Sequence, residues 1–536
     1  MYCWQCEQTL NGTGCVKSGV CGKTAETAAL SDLLMYALKG LAWAAARARR
    51  EGRPDLEADR CLTRGLFATL TNVDFDPNSL SALIDQAVEL RDRLKVPADA
   101  PTAATFKPAG SLAGRVAQGE AHGFRDGPTP QILSLRETAV YGLKGLAAYV
   151  HHAAALGRED DELHAFVEEL LAQTLDPSLG LEAWLAAALK VGEKNLRAME
   201  LLDEANLAAF GVPTPTKVSL GWRAGPAVCV SGHDLNDLAQ LLAQVRGRGV
   251  NVHTHVEMLP AHAYPGLQDP QLVGHWGTGW HNQTKELADF PGPTLFTSNC
   301  LQKPAAVERV FVTGPTAWPG ARRIEAGPDG RKDFGPVIDQ ALALGGFQSA
   351  QEGPSVLTGF NWRTVLGAAD QVVDLVKRGR IKRFILIGGC DGARGSRSYY
   401  RELALKAPQD AMILTLACGK FRFFDLDLGD IEGLPRLMDL GQCNDAHSAV
   451  KIAAALAEAF GVPLDELPLS LALSWYEQKA CAILLSLLHL GLKNIRLGPS
   501  LPAFVHPDVL AALVDKWGLK PTGDPEDDLR EIMAGR

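Results

Sequence analysis

Three separate apolar runs in the second half of the chain each end on a cysteine: Ile385-Leu386-Ile387-Gly388-Gly389-Cys390, Ile413-Leu414-Thr415-Leu416-Ala417-Cys418 and Thr294-Leu295-Phe296-Thr297-Ser298-Asn299-Cys300. Short runs of bulky apolar residues read as buried parallel strands. In an open α/β sheet, ligands and cofactors collect beyond the carboxyl ends of the strands. Gly388, Gly389 and Gly392 would let the backbone there come close to a bulky group. Thiols at such positions point to chemistry rather than to core filling.

At 536 residues the chain exceeds what one hydrophobic core serves, so about two to four domains are expected. A hydrophobic fraction of 46% with 21% charged residues is that of a soluble globular protein. A net charge of -9 argues against general binding to nucleic acid or anionic membranes and is compatible with a small-molecule enzyme. The start Met1-Tyr2-Cys3-Trp4-Gln5-Cys6 has neither the basic nor the apolar region of a secretory signal. The longest apolar stretch, near 480–492, is too short to span a bilayer and contains His489. A cytoplasmic protein is expected, with no nucleic-acid or membrane partner.

In that compartment the 11 cysteines are poor material for a disulfide framework, and clustered ones suggest metal. Cys3, Cys6, Cys15 and Cys21 form a C-x2-C-x8-C-x5-C run among Gly12, Gly14, Gly19 and Gly22. Four thiolates on a chain that can wrap tightly suit an iron–sulfur cluster. Structural zinc is the competitor, though its usual form is two separated C-x2-C knuckles.

From Glu26 to about Ala205 the Ala- and Leu-rich pattern is helical. Tyr36-Ala37-Leu38-Lys39-Gly40-Leu41-Ala42 returns as Tyr141-Gly142-Leu143-Lys144-Gly145-Leu146-Ala147, which predicts two duplicated three-helix bundles, 24–96 and 130–205. The repeat itself reads as helix packing. Between the bundles, 97–130 reads as a long loop. After Gly211-Val212-Pro213 strands alternate with helices: strands at 227–230, 250–256, 294–297 and 310–313, and a helix from Asp234. A Gly/Pro-rich passage covers 314–358. A helix over 367–378 and strands at Phe384, Met412 and Ile495 follow. The fold class is therefore multidomain α + α/β: helical bundles in 1–212, then two Rossmann-like doubly wound α/β domains, 213–358 and 359–536.

Metal-competent residues recur at strand ends and turns in these two domains: His233, Glu257, Cys300, Cys390, Cys418, Cys443 and Glu477. Glu477 falls in an apolar, helical stretch where a carboxylate needs a partner. Mixed soft and hard donors suit a centre with both sulfide and oxygen bridges. Cys61, Cys229 and Cys481 read as core residues. His253 and His255 share a strand face with Glu257 and read as core or supporting groups.

With these stretches in view, the chain resembles the hybrid-cluster (prismane) proteins along essentially its whole length. The resemblance rests on Ser231-Gly232-His233-Asp234-Leu235, Thr254-His255-Val256-Glu257-Met258-Leu259-Pro260, Gly388-Gly389-Cys390-Asp391-Gly392, Ala417-Cys418-Gly419-Lys420, Gly441-Gln442-Cys443-Asn444-Asp445 and Ser474-Trp475-Tyr476-Glu477-Gln478-Lys479. It implies a hybrid [4Fe-2O-2S] cluster held by His233, Glu257, Cys300, Cys390 as a persulfide, Cys418, Cys443 and Glu477, at the domain interface. The close-spaced N-terminal motif resembles the subgroup with a [4Fe-4S] cluster there. The passage His275-Trp276-Gly277-Thr278-Gly279 departs from the family's usual Gly-Asn-Tyr-Gly pattern. The resemblance further implies reduction of hydroxylamine to ammonia and water, with Glu477, Cys390, His233 and Lys479 at the chemistry. Lys479 would either relay protons or pair with Glu477. Alternatives at the same centre are nitric oxide reduction in nitrosative stress, or a redox factor that nitrosylates partner thiols. Electrons would enter at the N-terminal cluster from a ferredoxin-like or NADH-dependent reductase.

Overall fold

The N-terminal region is helical because apolar residues recur at helical spacing and most of its long segments begin with a capping side chain. In a computed structural model, which describes residues 1–123 and 129–535, helices α1 (Ala25–Arg50), α2 (Leu56–Ala68) and α3 (Pro77–Arg93) come first. Short helices α4 (Thr102–Thr105) and α5 (Leu112–Ala121) follow, then α6 (Pro130–Ala155), α7 (Asp161–Gln173) and α8 (Leu181–Phe210). Side-chain oxygens of Thr24, Asp55, Asp76, Thr129 and Asp160 accept hydrogen bonds from first-turn amides, each contributing about 1 kcal/mol. The sequence repeat maps onto matching elements: α1 and α6 span 26 residues each, α2 and α7 13 each. Yet α1 packs on α7 and α2 on α6, and Leu38, Leu66, Leu146 and Leu171 belong to a single buried cluster. The two sets of helices therefore share one core.

The stretch 97–130 is not a loop throughout. It contains α4 and α5, the latter capped by Ser111, while its residues 124–128 lie outside the described ones. Only Gly119 of α5 is buried, so the segment has no apolar stripe by which periodicity could reveal it.

Beyond Phe210 the chain builds two sheets. β1 (Thr216–Ser219) precedes β2 (Ala227–Ser231), β3 (Asn251–His255), β4 (Leu272–His275), β5 (Thr294–Phe296), β6 (Val310–Val312), β7 (Arg322–Arg323) and β8 (Ser355–Thr358). β2 to β7 form a parallel sheet in the order β4-β3-β2-β5-β6-β7, and β1 pairs antiparallel with β8. The second set is β9 (Arg383–Gly389), β10 (Ala411–Leu416), β11 (Asp430–Ile431), β12 (Leu434–Pro435), β13 (Leu437–Asp439), β14 (Leu469–Ser474), β15 (Arg496–Gly498) and β16 (Lys520–Pro521). Its parallel sheet is ordered β13-β10-β9-β14-β15-β16, with β11 and β12 an antiparallel pair apart. Each sheet begins at its middle strand, grows one way, then restarts on the other side of that strand. The order reverses between β2 and β5 and again between β9 and β14, and such a reversal opens a crevice at the carboxyl ends. The result is a mixed helical and parallel-sheet α/β fold.

Two expectations are corrected. β14 was not foreseen: its run Leu469-Ser470-Leu471-Ala472-Leu473-Ser474 merges in sequence with the apolar helix Gln478–His489 behind it. Glu477 is thus not inside a helix but caps one, immediately beyond a central strand. The passage 314–358 holds helix Gly335–Leu344, with a proline in its first turn, and β8. The helix expected over 367–378 is present as Ala369–Lys377, preceded by a short helix, Trp362–Leu366. Among the described residues no helix is long and apolar enough to cross a membrane.

Candidate metal centres

The first 24 residues fold back on themselves. Cys3 and Cys15 pair as a small antiparallel bridge, each N–H donating to the other's carbonyl at 3.0 and 2.7 Å. Leu10 N–H points at Cys15 Sγ, 3.4 Å away. Cys3, Cys6, Cys15 and Cys21 line one cavity of about 980 Å³, part of it open to solvent, beside Lys23 and Lys144. Burial pushes Cys3 up to about 12 and Cys6 well above an ordinary thiol, and Cys21 adds to both. Thiols raised in this way stay protonated unless a cation compensates them, and the four cysteines around one cavity fit a four-thiolate metal group. Lys39 and Lys144, from the two copies of the sequence repeat, both line this cavity.

The seven donors expected farther along also meet. His233, Glu257, Cys300, Cys390, Cys418, Cys443 and Glu477 all line a single interior cavity of about 300 Å³, together with Asn299 and Lys479. The topology explains why. His233 leaves β2 and Cys300 leaves β5, the two strands at the first reversal; Cys390 leaves β9 and Glu477 leaves β14, the two at the second. Glu257, Cys418 and Cys443 follow β3, β10 and β13, on one side of each reversal. The carboxyl ends of both sheets thus open onto one cavity. Gly389 is required for this: its φ is +97°, and a Cβ there would lie 1.9 Å from the Ser474 carbonyl of the adjacent strand. Gly145 of the sequence repeat has a related role, since a Cβ on it would lie 2.5 Å from the Gln478 carbonyl. Its absence lets α6 press directly on the segment that carries Glu477 and Lys479.

Two residues just ahead of donors, Val256 and Ala417, hold φ of +51° and +65°. Non-glycine residues in that region cost on the order of 1–3 kcal/mol, a strain typical of functional sites. The turn at Val256 overturns one expectation: Glu257 leaves the strand and sits in a 3-10 turn, so it shares no face with His253 and His255. His255 lies near Ser231 and Glu286 instead, at 3.0 and 3.5 Å. Neither histidine lines the donor cavity, and neither do Cys61, Cys229 and Cys481.

His233, Glu257 and Cys443 offer ligand atoms all within 4.8 Å of one another. Cys443 N–H donates to Glu257 Oε2 at 3.0 Å, while Oε1 is buried without a hydrogen-bond partner. A buried, unpartnered carboxylate oxygen beside an imidazole and a thiol fits a cation. Burial raises Glu257 to about 7, opposed by Lys420 and Lys479. Lys420 is itself held by Asp439 Oδ1 and the Gly441 carbonyl, both at 2.9 Å. Burial also raises Cys390 well above an ordinary thiol and Cys443 to about 11, so all these donors need a positive partner to ionise.

Lys479 is placed as a fixing group. Its Nζ donates to Asn299 Oδ1 at 2.8 Å and lies 3.8 Å from Glu477 Oε1, while its own N–H donates to Glu477 Oε2 at 2.9 Å. Asn299 Nδ2 donates to the same carboxylate at 3.4 Å. Burial would lower Lys479, but Cys443, Glu477, Cys300 and Cys418 hold it above its ordinary value. An ammonium so held keeps its proton, which favours pairing over relay. Asn299 and Lys420 were not singled out from the sequence, although each stands within two residues of a donor cysteine.

The two cavities are joined through the backbone. Glu7 N–H, next to Cys6, donates to the Tyr476 carbonyl, and Tyr476 N–H donates to Cys390 Sγ, both at 3.1 Å. Arg397 ties Glu7 to Asp391, at 2.9 and 3.0 Å, and Arg422 Nε donates to Asp391 at 2.8 Å.

Helices followed by two parallel sheets whose carboxyl ends share one donor-lined cavity, with a four-thiol cavity alongside, define the class. The chain belongs to the Prismane/CO dehydrogenase family, whose model matches residues 1–530. Among its relatives, the protein named hydroxylamine reductase from Solidesulfovibrio magneticus is 53% identical over 543 residues, covering all of both chains. The one of that name from Syntrophobacter fumaroxidans is 52% identical over 547 residues, again covering all of both. A carbon monoxide dehydrogenase from Thermococcus sp. AM4 shares the fold at a TM-score of 0.56 with 17% identity, over 99% of this chain and 90% of that one.

Proposed function

We propose that the chain is a hydroxylamine reductase: hydroxylamine takes two electrons and two protons, its N–O bond breaks, and ammonia and water leave. The observation that carries this is the convergence of His233, Glu257, Cys300, Cys390, Cys418, Cys443 and Glu477 on one cavity, in a chain about half identical to proteins of that name. In this reading those residues hold a hybrid [4Fe-2O-2S] cluster, with Cys390 as a persulfide, and Cys3, Cys6, Cys15 and Cys21 hold a [4Fe-4S] cluster. The bound hybrid centre supplies electrons and an open iron that polarises the N–O bond. Residues 1–212, 213–358 and 359–536 are the three units around it.

The chain's own groups have separate tasks. The hydrogen bonds from Glu7 to Tyr476 and from Tyr476 to Cys390 give electrons a short through-bond connection between the cavities. Lys479 and Asn299 orient Glu477 and balance its charge. Glu477, a hard carboxylate among soft donors, is the more exchangeable one. The N-terminal cysteines, with Cys3 and Cys21 partly exposed, face a ferredoxin-like or NADH-dependent donor. The test is anaerobic turnover with a reduced viologen: one ammonia formed per hydroxylamine consumed is expected. A protein with full iron content that forms no ammonia overturns the reading.

A second reading, nitric oxide reduction to nitrous oxide, is favoured by one observation. An apolar cavity of about 710 Å³, walled by residues such as Trp475, Leu485 and Phe504, shares Ala480 with the donor cavity. An apolar diatomic gas would partition into it. Relative turnover of hydroxylamine and nitric oxide by the same preparation separates the two.

A further inference from the structure

A second cavity of about 320 Å³ adjoins the donor cavity, and His233 and Lys479 line both. Its other walls include Tyr149, His152, Asp234 and Asn444. Two of these side chains carry buried polar atoms with no hydrogen-bond partner: both ring nitrogens of His152 and Asn444 Nδ2. His152 is 6% exposed and Asn444 2%. The Tyr149 hydroxyl interacts with the Cys443 thiol and, as both donor and acceptor, has room for a further partner. His152 Nδ1 stays 4.0 Å from the Asp234 carboxylate, and the His152 ring lies near-parallel to that of His233. Buried polar groups are almost always paired, so orphans from α6 and from the loop after β13 around one space point to a hydrogen-bonding occupant. Leu156 and Asp234, also in its wall, are only partly buried, which makes them the mouth.

We propose that this cavity is a vestibule that binds the N–O substrate, as neutral hydroxylamine, through His152, Asn444 and Tyr149 before it passes Lys479 into the donor cavity. The inference rests on the hydroxylamine reading. A neutral imidazole offers one donor and one acceptor, a carboxamide and a phenol offer both, and hydroxylamine carries donors and acceptors on adjacent atoms. An apolar gas gains nothing from these groups, so the vestibule separates a polar entry from the apolar cavity behind Ala480.

The test has a binding arm and a kinetic arm, both on the holoenzyme. Crystals of the oxidised, non-turning-over protein are soaked with O-methylhydroxylamine, a blocked analogue. Analogue density between His152 and Asn444, lost in His152→Leu, is expected; water alone in the wild type overturns the proposal. In turnover, His152→Leu is expected to raise KM for hydroxylamine about three- to tenfold, the range of one lost neutral hydrogen bond. His152→Gln, which keeps a donor and an acceptor, should restore it, with the cluster's paramagnetic signature unchanged in both variants. An unchanged KM in His152→Leu also overturns the proposal. If the wild type makes no ammonia at all, the functional reading fails, and the soak alone then decides whether the vestibule binds an N–O molecule.

Discussion

As a proposed metal ligand, Glu257 would couple metal uptake to protons. Burial holds its carboxyl at about 7 in the metal-free chain, against 4.5 for the free side chain. A folded-state value raised above the unfolded one means that stability, full at low pH, is lost as pH rises through that window. At about 1.4 kcal/mol per pH unit, the loss reaches about 3 kcal/mol by neutral pH. A cation binds only the ionised form, so below pH 7 it competes with the proton. From this group alone, iron affinity should fall roughly tenfold at about pH 6 and thirtyfold at about pH 5.5. The assay is anaerobic iron(II) uptake by metal-free protein between about pH 5.5 and 8, wild type against Glu257→Gln. The other donors bend both curves alike, so the difference between the curves belongs to Glu257. It should be full above about pH 8 and shrink about tenfold per pH unit below 7. Lys420 Nζ lies 4.0 Å from Oε1, worth about 4 kcal/mol of attraction at an effective dielectric near 20. Lys420→Met should therefore move the bend to higher pH. Parallel curves for wild type and Glu257→Gln would refute the argument.

Other outcomes follow from the same geometry. Glu477→Gln keeps its shape between Lys479 and Asn299, so iron content should hold while most hydroxylamine turnover disappears; full turnover would contradict its role. Cys390→Ala removes the acceptor of the Tyr476 N–H and should lose or rearrange the cluster, seen as a changed paramagnetic spectrum. Cys15→Ser should lower iron per chain, and unchanged iron, or zinc in its place, would rule out an N-terminal iron–sulfur cluster. Arg422→Met leaves the buried Asp391, 2% exposed, with Arg397 as its remaining ion-pair partner and should cost about 1–3 kcal/mol, read as a lower anaerobic unfolding midpoint.

The strands that end on cysteine were legible because a buried parallel strand is a short apolar run, and Ile385 to Ile387 or Ile413 to Leu416 can be little else. The long helices and their repeat were legible for a similar reason: periodicity and capping residues are local properties. β14 was hidden because a strand and a following buried helix, joined at Glu477, present one continuous apolar signal. The sequence by itself also determined which residue types could hold a metal, since thiols, imidazole and carboxylates are read residue by residue. Only the tertiary structure decided that seven of them share one cavity, because two strand-order reversals bring together residues up to 244 positions apart, His233 and Glu477. The same holds for His152. Nothing near it in α6 marks it, and its meaning comes from facing His233 across a space that only the packed helices and sheets enclose.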